Sequence, residues 1–138
     1  MNYRIVYCSR NRIDGTPQQT NAEVQNILRI SRINNAASGV TGALLFNGKA
    51  FAQVLEGPRD AVDIAYAKIR FDPRHSHVVV LEQSSQVQRH FPAWTMAYSD
   101  ARSSTLQSLD MDAAGSEPAT FAQNLLKLLK SVVDAHGE

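Results

Sequence analysis

The dipeptide Asn47-Gly48 joins two strand-forming runs, residues 40–46 and 50–56, and a helical stretch flanks the pair on each side. Asn-Gly between apolar runs favours a tight hairpin turn of the primed type. Upstream, Thr20 followed by Glu23 forms a capping-box pattern that predicts a helix start. Val24, Ile27, Leu28 and Ser31 then recur on one helical face, and Asn34, Asn35 and Gly39 close the helix. Downstream, Gly57-Pro58 breaks the second strand, proline being suited to a first helical turn, and Ala61, Val62, Ala65 and Ile69 form the buried stripe of a second helix. Outside this nucleus, residues 3–9 alternate, with Tyr3, Ile5 and Tyr7 on one face and Val6 and Cys8 on the other. Beyond Pro73, residues 77–83 form a fourth strand with an apolar centre, and residues 94–99 a short fifth.

The predicted order is therefore β-α-β-β-α-β-β. Right-handed crossovers fold that order into an α+β, ferredoxin-like domain: a mixed five-stranded sheet with two helices on one face. Residues 101–120 are rich in Ser, Asp and Ala and read as a loop, with a short helix around Leu106. Residues 121–133 form a final helix with Phe121, Leu125, Leu128, Leu129 and Val132 on one side. C-terminal helices should thus cover the other sheet face or meet a second copy of the chain. The expected division is a domain over residues 1–98 and a helical extension over residues 99–138.

Composition excludes several classes. Fourteen Lys and Arg against thirteen Asp and Glu leave a net charge of +1 in 138 residues, with no basic stripe for nucleic acid. No run of apolar residues is long enough to span a membrane, so cytoplasmic residence is expected. Cys8 is the only cysteine, which rules out an intrachain disulfide and a Cys-based zinc site; the histidines have no metal-ligand spacing.

Some residues fit a bland core poorly. Phe51, Gln53 and Leu55 point the same way from their strand, so Gln53 lies between two large apolar side chains on the face that meets the helices. A buried amide without partners costs about 1–3 kcal/mol, so something must hydrogen-bond to it. Backbone groups alone could do so. Tyr7, on the neighbouring strand, also needs a partner for its hydroxyl if buried, and a carbonyl or water would serve. Asn34 and Asn35 stand where the first helix ends, where asparagine also caps well. Ile27, Ser31 and Asn35 follow at i, i+4 and i+8 and could line one wall of a flat slot. Amides on such a slot suit a heteroaromatic ring with alternating carbonyl and N–H groups, as on a flavin's pyrimidine edge. The pattern suggests the slot without naming its ligand.

Five segments, in order, resemble one family. Residues 3–9, Tyr3-Arg4-Ile5-Val6-Tyr7-Cys8-Ser9, are similar to the first strand of BLUF domains, blue-light sensors that use FAD. Asn35 followed by Gly39-Val40-Thr41-Gly42-Ala43-Leu44 resembles their helix-to-strand junction, and Phe51-Ala52-Gln53-Val54-Leu55-Glu56-Gly57 their third strand. Asp72-Pro73-Arg74-His75 and Arg89-His90-Phe91-Pro92-Ala93-Trp94-Thr95-Met96 complete the set, which covers residues 1–98. The resemblance implies non-covalent binding of a flavin, FAD with FMN or riboflavin as alternatives. It makes Tyr7 the redox-active tyrosine and Gln53 the amide between that phenol and the flavin's N5 and C4=O. It places Asn35 at the C4=O and N3 edge with Asn34 beside it, Ile27, Phe51 and Ile69 against the ring, and Arg74 near C2=O. Ser31, Lys68, Asp72 and His75 complete the expected cofactor-binding set. In the family, light moves an electron and a proton from the tyrosine to the flavin, and the glutamine rearranges before the flavin returns oxidised. Trp94 and Met96 match the fifth-strand pair that relays the change outward.

The implied protein is a short photoreceptor, not an enzyme, that signals to a separate protein effector and forms a homo-oligomer. Two features depart from the family: a longer loop over residues 9–20, and Lys68 where some relatives carry arginine. Two other readings compete. An acylphosphatase-like enzyme would cradle phosphate near Cys8, Arg10 and Arg12, but leaves Gln53 without a role. A cofactor-free ferredoxin-like oligomerisation module would bind no flavin at all.

Overall fold

The computed structural model describes residues 2–92, 96–100 and 118–136. The elements are β1 (Asn2–Asn11), α1 (Pro17–Ser38), β2 (Thr41–Phe46), β3 (Ala50–Gly57), α2 (Arg59–Arg70), β4 (His75–Val87), β5 (Ala97–Asp100) and α3 (Pro118–His136). The strands lie in the order β4-β1-β3-β2-β5. The first four form an antiparallel sheet of ferredoxin-like connectivity, and the short β5 pairs parallel to β2 at the edge. The Asn47-Gly48 turn has a positive φ at Gly48 (92°) and not at Asn47, and the Asn47 Oδ1 accepts from the N–H groups of Lys49 and Ala50 at 2.9 and 2.8 Å.

Helix α1 begins one turn before the Thr20/Glu23 pattern. Thr16 is the N-cap: its hydroxyl accepts from the Gln19 N–H at 3.1 Å, and the Gln19 side chain accepts from the Thr16 N–H at 2.8 Å. Pro17, which reads as a loop breaker in sequence, fits the first helical turn because its missing N–H would be unsatisfied there anyway. Gly39 ends the helix in the left-handed conformation (φ 77°), a position that excludes most side chains. Gly42 is required for another reason. A Cβ there would lie 1.9 Å from the Val54 carbonyl oxygen on β3, so only glycine allows the two backbones to approach so closely.

The strands bury both faces. On one, Ile5, Tyr7, Leu44, Phe51 and Leu55 pack with Val24 and Leu28 of α1 and Val62 of α2. On the other, Val6, Cys8, Leu45, Val54 and Leu81 pack with Phe91 and with Ala122, Leu125, Leu126 and Leu129 of α3. The last four recur at i, i+3, i+4 and i+7, so the buried stripe of α3 includes Ala122 and Leu126, which the sequence-based set lacked. The side chains of Phe121, Leu128 and Val132 lie outside the described residues, as do Trp94 and the region around Leu106. Strand β4 runs well beyond the expected residues 77–83, and β5 starts after the expected Trp94. No described helix is long and apolar enough to cross a membrane.

A polar clamp holds the segment after β4. The fully buried Glu56 carboxylate accepts from Arg4 Nε at 2.9 Å and from the backbone N–H groups of His90 and Phe91, both at 2.9 Å. Arg4 also donates to the Gln88 carbonyl at 3.0 Å and lies 3.3 Å from Glu82. Arg89 adds bonds to Asn2, Thr41 and the Gly39 carbonyl at 3.0, 3.1 and 3.0 Å.

Leu129 is completely buried between α3 and the sheet. Leu129→Ala should therefore cost about 2–5 kcal/mol, measured as a lower urea midpoint with an unchanged denaturant slope. A wild-type midpoint would mean that α3 does not hold this face.

Candidate functional site

The site is built on the β1–β3 ladder, in which Tyr7 and Gln53 are direct cross-strand partners. Both side chains point toward α1 and α2, and their exposures are 2% and 3%. The Tyr7 hydroxyl donates to the Gln53 Oε1. The other end of the amide is also used: Gln53 Nε2 donates to the Sδ of Met96 at 3.5 Å. These two contacts fix the amide's orientation, since a thioether sulfur can only accept. Burial, then the nearby Tyr66 and the negative charge of Asp72, push the Tyr7 phenol well above its ordinary range, so it keeps its proton. The Tyr66 ring meets Tyr7 edge-on, with centroids 5.6 Å apart.

Strand β4 bulges on both sides of the Tyr7 pairing, where register shifts separate Val6 from Tyr7 and Cys8 from Arg10. In the second bulge His77 has a φ of 54°, and the strand start is re-aimed so that His75 reaches the site. The His75 Nε2 lies 2.5 Å from the Ile69 carbonyl, which can only accept, so that nitrogen carries the proton. In the neutral ring Nδ1 then accepts from the Ser9 hydroxyl, 2.7 Å away. The Ser9–His75–Ile69 chain thereby ties β1, β4 and the end of α2 together at one corner of the site.

Between the helices and the sheet is an open pocket lined by Tyr7, Ile27, Ser31, Leu44, Phe51, Gln53, Ile69, Asp72, Arg74 and His75, with ≈ 400 Å³ of empty space counting its solvent-open mouth. It shares Ile27, Ser31, Ile69, Asp72 and Arg74 with a groove of ≈ 1240 Å³ between α1 and α2. Asn34, Asn35, Lys68, Ile30 and Ile64 line that groove. Asn35 is buried, whereas Asn34 and Lys68 are exposed. At the junction, Arg74 Nη2 lies 2.5 Å from Asp72 Oδ2, and Arg74 Nη1 lies 3.3 Å from Glu23. Burial alone would raise the Asp72 carboxyl, but the hydrogen bonds from the Arg74 side chain and backbone and the charges of Arg74 and His75 hold it below its usual range.

The structure thus brings the expected residues Tyr7, Ile27, Ser31, Phe51, Gln53, Ile69, Asp72, Arg74 and His75 around one pocket, with Asn34, Asn35 and Lys68 along the adjoining groove. Met96 touches Gln53, and Trp94 lies outside the described residues. Sequence reasoning missed Leu44, which strand parity could have supplied because it pairs with Gln53. It also missed Ser9, Tyr66 and Arg32; Arg32 Nε donates to the Met96 carbonyl at 3.0 Å. Among the described residues no group of His, Cys, Asp or Glu could hold a metal.

A pocket with apolar walls, a buried amide and a phenol at its inner end, and a second buried amide along its extension fits a planar ring with hydrogen-bonding edges. The continuation between α1 and α2 has room for a longer tail. The fold and site define a flavin-binding sensory domain. The sequence profile described as "BLUF: Sensors of blue-light using FAD" matches residues 3–97, and the chain belongs to the BLUF family. It is 39% identical over 82 residues to photoactivated adenylate cyclase subunit beta of Euglena longa, covering 59% of this chain and 10% of that protein. Over 59 residues it is 44% identical to the blue light- and temperature-regulated antirepressor BluF of Escherichia coli (strain K12), covering 43% of this chain and 15% of the other. The dark-state structure of the BLUF protein BlrB superposes with a TM-score of 0.77 at 29% identity, covering 95% of this chain and 96% of that one. A bacterial light-regulated adenylyl cyclase superposes with a TM-score of 0.72 at 27% identity, covering 95% of this chain and 40% of the cyclase. The chain spans only about a tenth of the length of the curated cyclase relatives. As a member of this family the chain is a blue-light sensor that uses FAD. That assignment replaces both the acylphosphatase-like and the cofactor-free readings.

The Tyr7 phenol gives a pH prediction. Its folded-state pKa is raised, so its contribution to stability is complete below the unfolded tyrosine value of about 10 and is lost as pH rises through the folded value. In an alkaline titration followed by phenolate absorbance, Tyr7 should ionise only as the protein unfolds. Tyr7→Phe should remove that late step, and a titration identical to wild type would show that Tyr7 is not the protected phenol.

Proposed function

We propose that Tyr7 and Gln53 are the light-responsive pair of this sensor, with Asn35 and Arg74 holding the polar edges of the flavin. Ile27, Phe51 and Ile69 would pack its ring, and Ser31, Asn34, Lys68, Asp72 and His75 would complete the binding surface. The observation that carries the reading is the buried Tyr7 O–H donating to the Gln53 carbonyl at the pocket wall. Bound flavin supplies the absorption of blue light and the oxidising site.

The chain's own chemistry follows from its donors and acceptors. Tyr7 is neutral and holds a transferable proton against Gln53 Oε1. Loss of an electron makes a phenol far more acidic, and the amide is then the neighbour through which the proton leaves. When the electron and proton return, Gln53 can settle with its oxygen and nitrogen exchanged or as a tautomer; either presents a new hydrogen-bond pattern to the pocket. Rotation would turn the Gln53 oxygen toward the Met96 sulfur, which has no proton to offer it. Met96, and Trp94 just before it, would carry that change outward.

The proposed unit is a sensor over residues 1–98 with an extension over residues 99–138, resident in the cytoplasm and coupled to a separate protein effector. The cyclase relatives support coupling to an effector. Assembly into a homo-oligomer would use surfaces other than the buried stripe of α3; Ile33 and Phe71, which do not line the groove, are exposed large apolar side chains available for it.

Gln53→Leu conserves volume in an apolar pocket, so it should fold and retain flavin but lose the reversible red shift produced by blue light. Tyr7→Phe should likewise retain flavin, lose the shift and fluoresce more strongly, because the donor that quenches the flavin is weakened. An ordinary red shift in either variant would refute the assigned roles, as would a purified wild-type protein that takes up no flavin. Light scattering across concentrations tests the assembly: a strict monomer at high concentration would remove it.

A further inference from the structure

Arg32 lies next to Ser31 on α1, yet it lines neither the pocket nor the groove. Its Nε instead reaches across to the backbone of the chain entering β5 and donates to the Met96 carbonyl at 3.0 Å. The same Met96, 1% exposed, accepts from Gln53 Nε2 through its sulfur at 3.5 Å. Met96 also precedes the ladder: pairing between β5 and β2 starts at Ala97 with Ala43. The strand ladder therefore does not by itself fix the Met96 side chain. Its carbonyl is fixed by an arginine on the helix that also lines the pocket.

We propose that Arg32 is a positioning residue that holds Met96 against Gln53 and so favours the amide orientation in which oxygen faces Tyr7 and nitrogen faces sulfur. The inference rests on the photochemical role given above to Tyr7 and Gln53. Its physical basis is selective acceptance. Met96 sulfur rewards an N–H pointed at it and offers nothing to a carbonyl. A Met96 held in contact biases the amide toward this orientation, and a Met96 that drifts away removes the bias. The light-induced arrangement would then return more slowly.

The closing experiment uses the full chain loaded with FAD and follows recovery of the dark spectrum after a blue flash. Arg32→Met removes every donor at nearly constant length. It should retain flavin and the red shift, and slow recovery about threefold to tenfold, the weight of one ordinary hydrogen bond. Arg32→Gln puts an N–H donor at the same place along the side chain as the arginine Nε while removing the charge, so its recovery should return most of the way to wild type. In a Met96→Leu background, which lacks the sulfur acceptor, Arg32→Met should have no further effect. Wild-type or faster recovery in Arg32→Met overturns the proposal, as does equal slowing in Arg32→Met and Arg32→Gln, which would point to charge alone. Additive slowing with Met96→Leu also overturns it. If wild type itself shows no red shift, it is the photochemical reading of Tyr7 and Gln53 that fails.

Discussion

The β1–β3 register is the constraint on which the rest depends. It pairs Tyr7 with Gln53 on the helix-covered face and Arg4 with Glu56 on the face beneath α3. A slip of one residue would turn every side chain of a strand to the opposite side. A slip of β1 would put Tyr7 among the leucines of α3, and a slip of β3 would turn the Glu56 carboxylate to the side of α1 and α2. Both pairs therefore reinforce one alignment. Gly42 contributes by letting β2 approach β3 so closely, and the hairpin turn at Gly48 keeps those two strands in phase.

Two cores share this sheet as a common wall. Alternate residues of β3 serve opposite sides: Phe51, Gln53 and Leu55 face the pocket, and Ala52, Val54 and Glu56 face α3. The wall is thin, so the polar groups on each side are separated by only one strand's backbone. Cys8 shows what burial on the far side does to an ionisable group. Its thiol is pushed up to about 11 by desolvation and is correspondingly unreactive at neutral pH.

Much of this was legible in the residues. Strand parity placed Tyr7 and Gln53 on one face, and helical spacing placed Ile27, Ser31 and Asn35 along one wall. The family resemblance supplied the turn carrying Asp72, Arg74 and His75. What was not legible shares a physical cause: it depends on partners distant in sequence. Nothing local in the sequence gives Arg32 on a helix or Glu56 on a strand its partner; the folded chain brings a carbonyl to one and three donors to the other. The bulges in β4 depend on its pairing with β1, and no local signal marks them. The helix starts at Thr16 rather than at the expected Thr20, because Thr16 and Gln19 form the capping box and Pro17 suits the first turn.

The clamp at Glu56 has a consequence for where this molecule can move. Withdrawing the backbone of His90 and Phe91 would take two N–H donors from the fully buried Glu56 carboxylate and leave Arg4 to hold it, a loss of about 1.5–3 kcal/mol for each hydrogen bond to a charged group. Arg89 adds its own tether from that segment to the end of α1. The chain is thus moored up to Phe91, whose ring is set in the core beneath α3. Residues 88–91 are therefore the anchored start of the connection from β4 to β5, and a change at the pocket that moved them would have to break contacts on both sheet faces.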